Sequence, residues 1–174
     1  METNRRKFIK TAAAGTAGIL LGGTQLSAKS YNRIIGANER LQVAIMGLGR
    51  RVGGFYEPIG LKKNNVDLIY LCDVMKSQRE RAAKNVAGKM DAKPKLENDY
   101  RKVLADKEID AIFNLTPDHW HTPMTMEATA AGKHVYVEKP CSHNMEENEW
   151  IVESMKKYNR VVQMGNQQRS SDHT

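Results

Sequence analysis

Two cysteines are all the chain has, and neither setting points to a bridge: Cys72 lies within an apolar, strand-like run and Cys141 follows a proline. Proline and glycine are sparse, five and 13 in 174 residues, which excludes a collagen-like fibre. No apolar run approaches the roughly 18 to 20 residues of a membrane-spanning helix. Internal repeats are absent, and so is any low-complexity stretch beyond the first thirty residues. With 40 % hydrophobic and 27 % charged residues, the chain is also not a disordered one. An excess of one charge is missing from most of its length. The formal net charge is +7, but five basic residues against one acidic crowd into residues 1–30, leaving 22 against 19 for the remainder. The basicity belongs to a tail, and a nucleic-acid-binding face is not expected.

That tail reads as an address. Asn4-Arg5-Arg6-Lys7-Phe8-Ile9-Lys10 precedes a weakly apolar stretch of Ala, Gly, Thr, Ile and Leu from Thr11 to Gly23. A charged start, a short apolar middle and a small-residue exit describe an export signal. Arg5-Arg6 with Phe8 and Lys10 resembles the twin-arginine motif, whose machinery carries proteins already folded, often with cofactor bound. The alternative is a basic amphipathic helix. Ala28 is a candidate final residue of the signal, although Leu26 two places earlier is not small. Residues 1–30 are therefore set apart, a periplasmic location is expected, and no stable membrane span remains after export.

Residues 31–174 alternate strand and helix. Leu41–Met46, Val66–Cys72, Ile109–Leu115, Lys133–Val137 and Val161–Met164 are short apolar runs that read as buried strands. Helical patterns fall between them over Lys76–Val86, Tyr100–Ala105, Pro123–Ala131 (ended by Gly132) and Met145–Tyr158. The last of these opens with Asn144 and Glu147 in capping-box spacing. Strands apolar throughout and separated by helices imply a parallel sheet covered on both faces, a doubly wound α/β (Rossmann) domain.

Chemistry-bearing residues sit where those strands end. Gly47-Leu48-Gly49-Arg50-Arg51 follows the first strand, where glycines permit a tight turn and let backbone N–H groups approach a pyrophosphate. Asp73 ends the second strand, in the place of a carboxylate that accepts ribose hydroxyls and repels a 2′-phosphate. NAD is thus favoured over NADP, with Arg50, Arg51 and Lys76 pulling the other way. The third glycine of Gly-x-Gly-x-x-Gly falls on Val52; either Gly53 takes that role in a longer loop, or the helix sits off the strand. A plain structural turn is the alternative.

Thr116-Pro117-Asp118-His119-Trp120-His121 follows the third strand, and Glu138-Lys139-Pro140 the fourth. The histidines find no third ligand at metal spacing, so no metal is expected; otherwise Asp118 caps a helix while His119 and Trp120 pack. A lysine and a glutamate at a strand end are costly to bury unless they work or pair. Lys139 is placed to exchange a proton with a substrate hydroxyl.

Thr116-Pro117 with His121, then Glu138-Lys139-Pro140, on a glycine-turn nucleotide domain, resembles the Gfo/Idh/MocA oxidoreductase family over about residues 40–172. The tail Val161-Val162-Gln163-Met164-Gly165-Asn166-Gln167-Gln168-Arg169 is similar to exported members. The resemblance implies that Gly47 and Gly49, with Leu48, Arg50 and Arg51 between and after them, cradle the pyrophosphate and that Asp73 holds the adenine ribose. It places Thr116, Pro117 and His121 on the nicotinamide side, and Glu138, Lys139 and Pro140 at the nicotinamide ribose and substrate. Lys139 is catalytic in that reading, the bond before Pro140 is cis, and Asn166, Gln167 and Arg169 lie toward the substrate. The family continues into a second α/β domain that is not in these 174 residues, so the chain is expected to be a fragment supplying the nucleotide-binding half. The activity implied is NAD-dependent oxidation of a sugar or polyol by a homo-oligomer. The alternatives are a redox-neutral, NAD-dependent glycosidase and a non-catalytic nucleotide-binding module.

Overall fold

A computed structural model describes residues 40–167. The export signal expected over 1–30, and Arg169, lie outside them. Six parallel strands are β1 (Leu41–Met46), β2 (Val66–Cys72), β3 (Lys95–Glu97), β4 (Ala111–Asn114), β5 (His134–Glu138) and β6 (Val162–Gly165), in spatial order β3-β2-β1-β4-β5-β6. Order reverses between β1 and its neighbours β2 and β4, which opens a crevice beyond their carboxyl ends. Five helices complete the wind: α1 (Tyr56–Gly60), α2 (Lys76–Lys89), α3 (Tyr100–Ala105), α4 (His121–Ala130) and α5 (Met145–Tyr158).

The core explains why the central strands are apolar on both faces. Successive β1 side chains alternate between two clusters: Val43 and Ile45 pack with Tyr56, Ile59, Ala82 and Val86, while Ala44 and Met46 pack with Val103, Ile112, Met124 and Val135. The doubly wound sheet is thus as the sequence implies, with β1, β2, α3 and α5 at their expected limits and the other expected elements shifted at their ends by a few residues. β3, like the short α1, is an element not anticipated. Its three residues, Lys-Leu-Glu, lie at the sheet edge beside β2 and lack a continuous apolar signature.

Local chemistry sets the boundaries. Asn144 Oδ1 accepts the Glu147 N–H at 2.9 Å, and the Glu147 carboxylate in turn takes the His143 N–H and the Asn144 amide, a reciprocal cap for α5. Gly132 closes α4 at φ +81°, donating its N–H to the Thr129 carbonyl. Lys133, next in line, is buried. Its ammonium donates to the carbonyls of Asp106 (2.6 Å) and Ile109 (2.9 Å), locking the α3–β4 connection against the start of β5. Burial holds this lysine below the usual range, with Asp106 and Asp110 acting in the opposite sense.

Removing the α5 cap should be felt without altering the fold. Asn144→Ala is expected to cost about 1 kcal/mol in urea unfolding, with an unchanged far-ultraviolet dichroism spectrum; an unchanged midpoint would mean the cap contributes nothing.

Candidate functional site

β1 stops where Gly47 turns with φ +85°, and no other residue fits there. A Cβ would lie 2.5 Å from the Leu115 carbonyl oxygen, so the turn exists because β1 and the end of β4 approach backbone to backbone. Leu48 is then driven into the core, fully buried. Its N–H donates to Asp73 Oδ2 at 2.7 Å, while Asp73 Oδ1 accepts the Met75 N–H at 2.8 Å. Arg81 of α2 reaches back to the carbonyls of Leu48 (2.6 Å) and Gly49 (3.0 Å). The turn is held on both sides, and Gly49 and Arg50 keep N–H groups with no partner among the described residues.

The segment after the turn holds only short helical pieces. A 3-10 turn, Arg51–Gly54, precedes the five-residue α1. Val52 is buried in the core, whereas Gly53 is exposed with open space at its Cα. Of the two readings of the missing third glycine, Gly53 does not take up a close-packing role.

At the end of β4, Thr116 and Pro117 enter a 3-10 turn, Asp118–Trp120, leading into α4. Asp118 is exposed and makes no side-chain cap there. His121 is buried, and its ring bridges two backbone carbonyls, Nε2 to Thr116 at 2.8 Å and Nδ1 to Pro140. His121 thereby ties the end of β4 to the end of β5. The Lys139–Pro140 bond is cis.

β5 ends at Glu138, whose carboxylate is nearly buried and meets Arg51 and Gln167. Burial, with Glu138 beside it, pushes the Tyr136 hydroxyl above its ordinary range, so it stays protonated. Lys139 is exposed at the cleft wall, and its ammonium makes no hydrogen bond or ion pair with any described residue.

These strand ends share one cleft of about 1270 Å³. Gly47, Gly49, Arg50, Arg51, Asp73, Thr116, Pro117, His121, Glu138, Lys139 and Gln167 line it. Leu48, Pro140 and Asn166 do not: Leu48 faces the core, Pro140 turns its carbonyl to His121, and Asn166 lies outside the lining. Sequence reasoning missed Met75, Gln78, Asn98 and Tyr100, which also line the cleft; for Trp120 it offered packing only as the alternative to facing the cofactor. Trp120 lies on the cleft wall, half exposed, its ring edge-on to Tyr100 at 6.3 Å. Asn98 and Tyr100 follow β3, so only recognition of that edge strand would have found them. Cys72, beneath the cleft floor, is pushed up to about 12 chiefly by burial and is an inert thiol.

The family model described as "Oxidoreductase family, NAD-binding Rossmann fold" matches residues 41–166. The chain belongs to the Gfo/Idh/MocA oxidoreductase family. It is similar to a glycosyl hydrolase family 109 protein of Saccharopolyspora erythraea, 30 % identical over 94 % of this chain and 39 % of that protein. It is also similar to an alpha-N-acetylgalactosaminidase of Shewanella oneidensis, 29 % identical over 92 % of this chain and 39 % of that one. Among solved structures, myo-inositol 2-dehydrogenase of Lactobacillus plantarum superposes with a TM-score of 0.64 at 29 % identity, covering 76 % of this chain and 38 % of that one. The chain spans about two fifths of the length of these curated relatives.

NAD is the cofactor of this family domain, and the cleft fits it. A Cβ at Gly49 would meet nothing within 4 Å, so the second glycine borders open space, beside two unpartnered N–H groups and a cation, Arg50. The two glycines thus differ in kind. Gly47→Ala should cost several kcal/mol through backbone overlap and a strained φ, while Gly49→Ala should melt within a degree or two of the parent yet bind NAD more weakly. Calorimetric melting and NAD titration of both variants check this; equal stability losses would contradict it.

Proposed function

We propose that the chain supplies the cofactor half of an enzyme that oxidises a hydroxyl-bearing carbon of a sugar or polyol with NAD. The observation that carries this reading is Lys139, an unpaired ammonium on a cleft whose opposite end is formed by Asp73 and the glycine turn. When bound, the nicotinamide supplies hydride exchange at its C4. The chain's own residues do the rest. Gly49 and Arg50 N–H groups receive the pyrophosphate. Asp73 accepts the ribose hydroxyls with the acceptor capacity its two backbone bonds leave free. Thr116 and Pro117 shape the wall between the two ends. Lys139 takes the substrate hydroxyl proton during oxidation and returns it in reduction, and His121 keeps the loop that carries it against the end of β4.

A second reading, glycoside cleavage with no net redox change, is favoured by the family 109 relatives. Their matches span 92 to 94 % of this chain and so necessarily enter its first thirty residues. The twin-arginine-like start supports export to the periplasm, where tightly held NAD that is regenerated within each cycle is an advantage. Steady NADH accumulation with a polyol supports the dehydrogenase; glycoside cleavage without net NADH supports the glycosidase.

Both share the same proton carrier, and one variant tests it. Lys139→Ala in the full reading frame should reduce turnover by at least about a hundredfold while leaving the NAD dissociation constant within about twofold; unchanged turnover would remove Lys139 from the chemistry. At the other end of the cleft, Asp73→Ala should weaken NAD by about 1–3 kcal/mol and NADP by much less, read by titration calorimetry. Equal losses would place the 2′-hydroxyl elsewhere.

A further inference from the structure

One nearly buried carboxylate joins the glycine turn to the strand end that carries Lys139. The Glu138 side chain is 7 % exposed and receives Arg51 Nε at 2.9 Å and Gln167 Nε2 at 3.1 and 2.9 Å. An ionised carboxylate so far from water needs a cation, and among the described residues only Arg51 provides one. Arg51 is itself steadied, its guanidinium 5.3 Å from the centre of the Phe55 ring, which stands edge-on to Tyr136 at 5.5 Å. On the third side, β6 has to be glycine at Gly165: a Cβ there would overlap the Tyr136 hydroxyl and lie 2.9 Å from Glu138 Oε2. Three chain segments, from after β1, the end of β5 and the end of β6, converge on one carboxylate. By contrast Arg50, adjacent in sequence and exposed on the same cleft, has no partner among the described residues.

We propose that Arg51 and Glu138 form a latch, a pair of positioning residues that sets the nicotinamide end of the cleft and the reach of Lys139, and that the pyrophosphate is met by Arg50. The two consecutive arginines have separate tasks. Arg51 spans from the glycine turn over the end of β4 to β5, so a shift of either strand end breaks its bond to Glu138. Losing the latch should therefore weaken contacts at the nicotinamide and leave those at the adenosine diphosphate untouched. This inference rests on the NAD reading above.

Truncated ligands separate the two ends. Titration calorimetry of the full chain with NAD and with ADP-ribose, which lacks nicotinamide, is compared for the parent, Arg51→Gln, Glu138→Gln, their double variant and Arg50→Gln. The latch predicts that Arg51→Gln and Glu138→Gln each weaken NAD about tenfold and leave ADP-ribose within about twofold. The double variant should lose no more than the worse single one, because the pair acts as a unit. Arg50→Gln should weaken both ligands alike. Arg51→Lys, which keeps the charge opposite Glu138, should recover most of the NAD affinity and guards against a variant that merely misfolds. Equal losses for both ligands in Arg51→Gln would make it a pyrophosphate ligand and overturn the latch, as would additive losses in the double variant or no loss at all. A parent chain that binds neither ligand would instead overturn the NAD reading itself.

Discussion

The carboxyl edge of the sheet depends on one close approach, the Cα of Gly47 against the backbone of Leu115 and Thr116. Because no side chain stands between them, β1 and the end of β4 meet, and the chain turns sharply enough to bury Leu48. Burying Leu48 aims its N–H at Asp73, which fixes the carboxylate at the end of β2. The following residues then leave two N–H groups facing open space. A glycine chosen by sterics thus sets, at once, a turn bordering open space and a fixed carboxylate beside it.

Opposite this polar turn, the site is braced by side chains bonded to other protein groups. His121 spends both ring nitrogens on carbonyls from two strand ends, and Glu138 spends its charge on Arg51. Such bonds are worth more in a buried setting, because the alternative is an unpaired polar group away from water. Of the lysine and arginine side chains on the cleft, Lys139 and Arg50 are left without a partner among the described residues. In the function proposed above, that separation suits hydride transfer, where the protein contributes geometry and proton handling.

Much of this was legible in the sequence. Continuous apolar runs identified five of the six strands, and the Asn144–Glu147 spacing and Gly132 marked helix ends where the structure has them. β3 escaped because an edge strand of Lys, Leu and Glu needs no apolar face, and with it went Asn98 and Tyr100. The strand-end motifs located the cleft because parallel topology brings carboxyl ends together whatever the side chains do. Motifs do not disclose which way a side chain turns. Leu48 and Pro140 carry motif positions yet do not line the cleft, whereas Trp120, whose alternative reading was packing, does. The pairing of Arg51 with Glu138 links residues 87 apart in sequence, and no local pattern announces it.

In the function proposed above, one cleft, from Asp73 to Lys139, holds NAD along its whole length. Mapping amide chemical shifts of the isotope-labelled chain during an NAD titration tests it most directly. Saturable shifts are expected at Gly49, Arg50, Asp73, Thr116 and Lys139, sharing a single dissociation constant, with the Lys139 shift lost when ADP-ribose replaces NAD. Shifts confined to one end of the cleft with NAD, or clustered on the outer face of α5, would contradict it.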